Sequence, residues 1–156
     1  MDVRIRPHAL AGAVTPPPSK SMAHRLLLAA ALADGVSTVK NVALSQDIEA
    51  TLRCMAALGA SWERTDKSTL RVTGIGGKEK SFPELPRFDC GESGSTLRFL
   101  IPIALAVAGG GVFTGRGRLM ERPQKPYFDL FDEKGISYEQ TAGALTVRGT
   151  LTPGEY

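Results

Sequence analysis

Two cysteines, two histidines and one tryptophan are all that this chain of 156 residues has of those types, and each scarcity removes a class of protein. Cys54 and Cys90 are too few for the disulfide framework of a small secreted domain, and with His8 and His24 they show no metal-ligand spacing. Cys54 lies mid-helix beside Met55 and Ala56, and Cys90 precedes a loop at Gly91, so both thiols are expected to be reduced and mostly buried. No apolar run reaches the roughly 18 residues of a membrane span; Leu97–Ala108 is too short and is broken by Pro102. Met1–Arg6 carries no apolar signal core, which leads to an expectation of a cytoplasmic protein. No dense Lys/Arg track is present, so neither nucleic acid nor membrane is expected as a partner. The balance of 19 basic against 16 acidic side chains leaves a net charge of +3, interspersed along the chain, which suits a small anionic ligand.

What the chain does have is a duplication. Residues 19–74 run Ser-Lys-Ser, an Ala/Leu helix, a Gly, a Val-rich strand, a second helix, Leu-Gly-Ala-Ser-Trp-Glu and Leu-Arg-Val-Thr-Gly. Residues 93–149 run Ser-Gly-Ser, an apolar helix, glycines, a Val-Phe strand, a second helix, Lys-Gly-Ile-Ser-Tyr-Glu and Leu-Thr-Val-Arg-Gly. Ser19 to Ser93 spans 74 residues, Gly59 to Gly135 spans 76 and Gly74 to Gly149 spans 75. A period this regular marks tandem structural units. The predicted order in each is β-α-β-α-β-β, an α/β architecture.

In the first copy an extended segment over His8–Val14 leads into Pro16-Pro17-Pro18, a stiff arm. Ser21 is predicted as the N-cap of a helix from Met22 to about Ala33, ended by Asp34-Gly35. A strand follows over Val36–Val42, a helix opening near Ser45 with Ile48, Leu52 and Met55 on one face, and a strand pair, Ser61–Thr65 and Thr69–Thr73. The second copy predicts a strand over Leu85–Asp89, a helix over Ser95–Ala108, a strand over Gly111–Gly115, a helix over Gln124–Lys134 and a strand pair, Ile136–Gln140 and Ala144–Arg148. Pro102 predicts a kink or a tightly supported break. Leu26–Leu32 and Leu97–Val107 are apolar almost all round, so these helices are expected to be buried on most sides, inside sheets.

Three places carry binding chemistry. At Ser19–Arg25 a helix start offers free N–H groups, the Lys20 ammonium and the Ser21 hydroxyl, and Arg25 lies one turn on, able to return to the same side. This makes a place for a phosphate or carboxylate; the alternative is a capped turn with two solvated cations. His24 is read as structural. At Gly91–Arg98 the equivalent turn has Gly94 where the first copy has Lys20, allowing close backbone approach to a ligand. It has neither P-loop nor dinucleotide-fold spacing. At Gly115–Pro123, Arg116 and Arg118 read as loop cations paired with acids. Arg122 reads as functional, held at a helix N-terminus by a Pro123 expected at the first helical position. Binding equipment is present, while a convincing general acid or base is not.

Pro-Ser-Lys-Ser-x-x-x-Arg at 18–25, Gly-Glu-Ser-Gly-Ser-Thr-Leu-Arg at 91–98 and Arg-x-x-Glu-Arg-Pro at 118–123 resemble the 5-enolpyruvylshikimate-3-phosphate (EPSP) synthase family, in order and over essentially the whole chain. The resemblance implies transfer of the enolpyruvyl group of phosphoenolpyruvate to the 5-hydroxyl of shikimate 3-phosphate, with no metal or organic cofactor. It implies an inside-out α/β barrel, sheets outside and helices inside, with three β-α-β-α-β-β units in each of two domains. By position, Lys20 would be catalytic and touch both substrates, Ser21 and Arg25 would bind shikimate 3-phosphate, and Gly94 and Arg122 would bind phosphoenolpyruvate. The chain then divides into an arm at 1–16 that would pair with a second domain, units at 17–74 and 85–150 joined by a connector at 75–84, and the start of a third unit at 151–156. Its partners would be those two substrates and the remaining repeats, and alone it is expected to be inactive. Pro18 and Glu92 depart from the family's usual residues; Glu92 puts negative charge near a proposed anion site unless Arg98 or another cation offsets it. Two alternatives stand beside this reading. One is the related enolpyruvyl transferase acting on UDP-N-acetylglucosamine, whose loop cysteine has no counterpart in 111–122. The other is a non-catalytic anion-binding module.

Overall fold

The computed structural model describes every residue except 1, 5, 8, 10, 78–80, 152 and 156. Of the segment expected over His8–Val14, residues 8 and 10 lie outside the described residues and the others join no sheet. Regular structure begins at Ser19, whose hydroxyl caps helix α1, Lys20–Leu32, by accepting from the Met22 N–H at 3.3 Å. The cap is therefore Ser19 and not Ser21, because Ser19 holds the extended backbone that a cap requires and Ser21 is already helical. Strand β1, Val36–Val39, helix α2, Gln46–Ala57, and strands β2, Ser61–Arg64, and β3, Leu70–Thr73, complete the first half. The second half runs β4, Arg87–Asp89; α3, Gly94–Ala108; β5, Gly110–Thr114; α4, Lys125–Lys134; β6, Ser137–Gln140; and β7, Ala144–Arg148.

Two sheets result, ordered β1-β3-β2 and β4-β5-β7-β6. In each, the last strand of the half lies between the two before it: β3 pairs antiparallel with β1 and β2, and β7 with β5 and β6. The second sheet adds β4 parallel to β5, with Phe88 opposite Phe113 and their rings stacked at 4.9 Å. Helices α1, α2 and α3 pack on one another; α1 also packs on β1 and β3, α3 on β5 and β7, and α2 on β2 and β4, joining the halves. One core runs through both, from Leu27, Ile48, Leu52 and Val72 to Leu97, Leu100, Phe113 and Val147. Burying such side chains is the main favourable term in folding.

The two apolar helices fare differently. In α3, Leu97, Leu100, Ile101, Ala104 and Leu105 are all buried. In α1, Leu27, Leu28, Ala30 and Ala31 face the core, but Met22 is 53% and Leu26 47% exposed. The expectation that α1 is buried on most sides fails, because α2, α3 and the first sheet cover only one flank of it.

Pro102 does not break α3. A helical proline leaves the carbonyl four residues back without its N–H partner, here that of Arg98, and the Tyr127 hydroxyl of α4 donates to that oxygen at 2.6 Å. Burial raises the Tyr127 pKa, with Arg98 opposing, so the phenol keeps the proton it donates. Both cysteines are free and buried. The neighbouring Cys54 thiol, together with burial, pushes the Cys90 thiol far above its ordinary range.

Candidate functional site

Three serines start the three packed helices in the same way. Ser19 caps α1, Ser45 caps α2 through the Ile48 N–H at 3.4 Å, and Ser93 caps α3 through the Thr96 N–H at 3.2 Å. In a helix only the first turn has free N–H groups, so this geometry sets where an anion can be held.

Lys20, the first residue of α1, reaches across to α2, where its Nζ pairs with Asp47 Oδ2 at 2.6 Å. The pair is open to solvent, with the Lys20 side chain 55% exposed, so it orients the ammonium more than it stabilises the fold. Ser21 is exposed at the same turn. Arg25 folds back, its Nη1 donating to the Ser21 carbonyl at 2.9 Å, and its guanidinium lies 5.3 Å from the centre of the Phe99 ring of α3. That cation–π contact holds Arg25 over the seam between α1 and α3.

Gly94 is the first residue of α3. A Cβ there would stand 2.8 Å from Arg122 Nη1, so the guanidinium lies directly against the bare glycine backbone. Gly94 and Arg122 are 28 residues apart in sequence (122 less 94) and adjacent in space. No acidic side chain pairs with Arg122 among the described residues, whereas Arg118 is bound to Glu121 at 3.1 Å and Arg116 to Asp89 at 3.7 Å. The expectation about its support needs correction. Helix α4 begins at Lys125, with Gln124 as its cap and Pro126 in its first turn, so Pro123 precedes the helix and Arg122 does not sit on its N-terminus. Arg122 is set instead by the tight turns before it, where the Arg122 N–H donates to Leu119 O at 3.2 Å. Its carbonyl accepts from the buried Gln124 amide at 3.3 Å. Arg122, Arg118, Glu121 and Pro123 line a cavity of about 320 Å³.

Glu92 is not offset by Arg98, whose Nε turns to Gln124 Oε1 at 3.5 Å. Glu92 instead lies against Gly117 and lines a second cavity, about 270 Å³, with Asp47, Glu49, Arg53 and Arg116. Those two arginines bring positive charge to the same cavity, where both pair with Asp89.

Beneath the three helix starts runs a buried chain of polar groups. His24 Nδ1 meets Thr51 Oγ1 at 2.8 Å, Thr51 Oγ1 meets Thr96 Oγ1 at 2.7 Å, and Thr96 Oγ1 donates to Ser93 Oγ at 2.7 Å. Both threonine hydroxyls also lie 3.3 Å from the Asp47 carbonyl. Burial lowers the His24 pKa; Asp47 partly opposes this, and Lys20 and Arg25 add to it. The imidazole is therefore neutral at neutral pH. Reading His24 as structural leaves out these ties, which no local motif announces. The available signal was Thr51, a polar side chain among Ile48, Leu52 and Met55 on the apolar face of α2.

The comparisons with known proteins agree with one another. The profile of EPSP synthase (3-phosphoshikimate 1-carboxyvinyltransferase) matches residues 5–152. The 3-phosphoshikimate 1-carboxyvinyltransferase of Clostridium novyi (strain NT) is 44% identical over 99% of this chain, and that of Clostridium beijerinckii is 46% identical over 99%. The chain spans 37% of the length of each of these relatives. Two structures of EPSP synthase from Acinetobacter baumannii superpose on it with TM-scores of 0.72 and 0.73. They are 25% and 27% identical, and they cover 86% and 89% of this chain and 31% and 32% of their own. A profile match from residue 5 to residue 152, over helices whose starts carry Lys20, Gly94 and a neighbouring Arg122, shows that this chain belongs to the EPSP synthase family.

Proposed function

We propose that the chain is the N-terminal portion of an EPSP synthase and supplies part of the binding cleft for enolpyruvyl transfer from phosphoenolpyruvate to shikimate 3-phosphate. Lys20 serves both substrates, Ser21 and Arg25 hold shikimate 3-phosphate, and Gly94 with Arg122 holds phosphoenolpyruvate. The observation that carries the reading is the Arg122 guanidinium laid against Gly94 with no acidic partner among the described residues. An unneutralised arginine beside a helix start is suited to a carboxylate or phosphate. The bare glycine leaves the backbone open to close approach. Asp47 holds Lys20 at its edge of the cleft until an anion competes for the ammonium. The division into units 17–74 and 85–150, joined at 75–84, goes with this reading and is supported by the shared strand order of the two sheets. Two free, buried thiols suit a reducing compartment such as the cytoplasm.

Asp47, the carboxylate that faces Lys20, is already taken up in an ion pair with it, and on this reading the chain by itself binds and orients the substrates without completing the proton transfers. Titration of shikimate 3-phosphate into the chain, followed by amide chemical shifts, is expected to move Lys20, Ser21 and Arg25. Phosphoenolpyruvate is expected to move Gly94 and Arg122. Silence at these residues up to millimolar ligand overturns the assignment, and turnover by the chain alone overturns its role as a binding portion only.

A further inference from the structure

Two groups of anion-binding side chains stand at the starts of different helices, and a substrate pair reacts only if those starts keep a fixed separation. Surface contacts do not secure it: Lys20–Asp47 is exposed, and Arg122 approaches Gly94 without a hydrogen bond to it. What connects the two starts is buried. Asp47 joins both ends, its carboxylate taking Lys20 and its carbonyl facing the hydroxyls of Thr51 and Thr96. Thr96 then grips Ser93, the cap immediately before Gly94, and Thr51 is fixed from the other side by His24 of α1. All three helices contribute, and each short contact lies between atoms of buried residues.

We propose that the chain His24–Thr51–Thr96–Ser93 is a positioning device that holds the Lys20 turn and the Gly94 turn in register, with His24 and Thr96 as positioning residues. The proposal rests on the site assignment above for its functional meaning, while the register itself is a property of the unliganded chain. In a hydrogen-bonded chain each contact needs one proton. His24 Nε2 is buried and has no partner among the described residues. A proton placed on Nε2 would be a buried donor with no acceptor among the described residues. With the proton on Nδ1, the donors run outward, from Nδ1–H to Thr51, from Thr51 to Thr96, and from Thr96 to Ser93. Thr96 donates to Ser93, which sets this direction; Ser93 accepts twice, from Thr96 Oγ1 and from the Thr96 N–H that it caps, and its own hydroxyl proton is the end of the chain, with no acceptor among the described residues. Polar groups in so dry a setting are held strongly when satisfied, which gives the device its rigidity. The groups able to disturb it by charge are Lys20, Arg25 and Asp47.

The test needs no ligand in its first step. Nitrogen-15 spectra of the histidine side chains in the unaltered chain are expected to show His24 neutral, with its proton on Nδ1; an Nε2–H tautomer overturns the proposal. Thr96→Val keeps the shape and removes the hydroxyl. It is expected to shift the His24 ring nitrogens and the amides of both Lys20 and Gly94, and Thr96→Ser is expected to restore all three. If Thr96→Val moves only its immediate neighbours, or if Thr96→Ser behaves as Thr96→Val does, the chain is packing and not a positioning device. With shikimate 3-phosphate and phosphoenolpyruvate added, Thr96→Val is expected to weaken the response at both turns together, about tenfold, and loss at one turn only overturns the coupling. A chain that shows the Nδ1–H tautomer and the Thr96 effects but binds neither substrate refutes the functional assignment and leaves the register intact.

Discussion

At the scale of single residues, the site is decided by what each side chain leaves unpaired. Of the three arginines in Gly115–Pro123, Arg116 and Arg118 are bound to acids, and Arg122 has no acidic partner among the described residues, which leaves its guanidinium for an external anion. Gly94→Ala tests this. The added methyl meets the mobile end of Arg122 at 2.8 Å, a contact relieved by swinging the guanidinium aside. Gly94 is also the first helical residue, where alanine is tolerated. Stability is expected to change by less than about 1 kcal/mol, while the phosphoenolpyruvate response is lost and the Lys20 response to shikimate 3-phosphate persists; thermal denaturation and titration of the same sample check both. His24 gives a pH prediction. Its folded pKa lies below its unfolded one, so the folded state binds fewer protons between them. Its contribution is complete above the unfolded value and is lost as pH falls toward the folded one. The melting temperature is therefore expected to drop as pH falls below the ordinary histidine value of 6.5, and to drop less in His24→Asn. Equal slopes for the two proteins would refute this.

At the scale of elements, most boundaries were legible from caps, glycines and periodicity, and the misses have local causes. Ser19 and Ser21 both have the chemistry of a cap, and only the extended backbone at Ser19 separates them. Pro123 and Pro126 can each open a helix, and the chain uses the second, which removes Arg122 from the helix end. Pro102 could be flagged from sequence, but its remedy could not, because Tyr127 comes from another helix. Tyr127→Phe is expected to cost about 1 kcal/mol, a fall in melting temperature of about 2–4 °C for a chain of this size. In a Pro102→Ala background the regained N–H can satisfy Arg98 O, and the cost of Tyr127→Phe is expected to shrink. Equal costs in both backgrounds would show that the hydroxyl does not compensate for the proline.

At the scale of the whole molecule, the uncovered flank of α1 is the main feature. Met22 and Leu26 stand in solvent, and Leu26 lines a shallow, mostly apolar cavity of about 360 Å³ with Ala29, Ala30, Ala33, Ser37, Thr38 and Val39. Exposed apolar surface of this kind promotes association. The chain is expected to show concentration-dependent self-association in sedimentation, and Leu26→Lys, at an exposed position, is expected to suppress it without lowering the melting temperature. A monomer at all concentrations would contradict this. The α/β order of elements, the two Ser-x-Ser turns at which helices open and the family are legible in the chain alone. These depend on short-range signals: serine caps, glycine stops and apolar periods within one turn or one strand. The stacking of the elements sets the rest: Arg122 lies on Gly94, Asp47 holds Lys20, Glu92 lines one cavity with Arg53 and Arg116, and His24, Thr51, Thr96 and Ser93 form one chain. Each of these joins residues on different elements. Such contacts depend on how helices and sheets stack, and no residue's immediate neighbours in sequence record it.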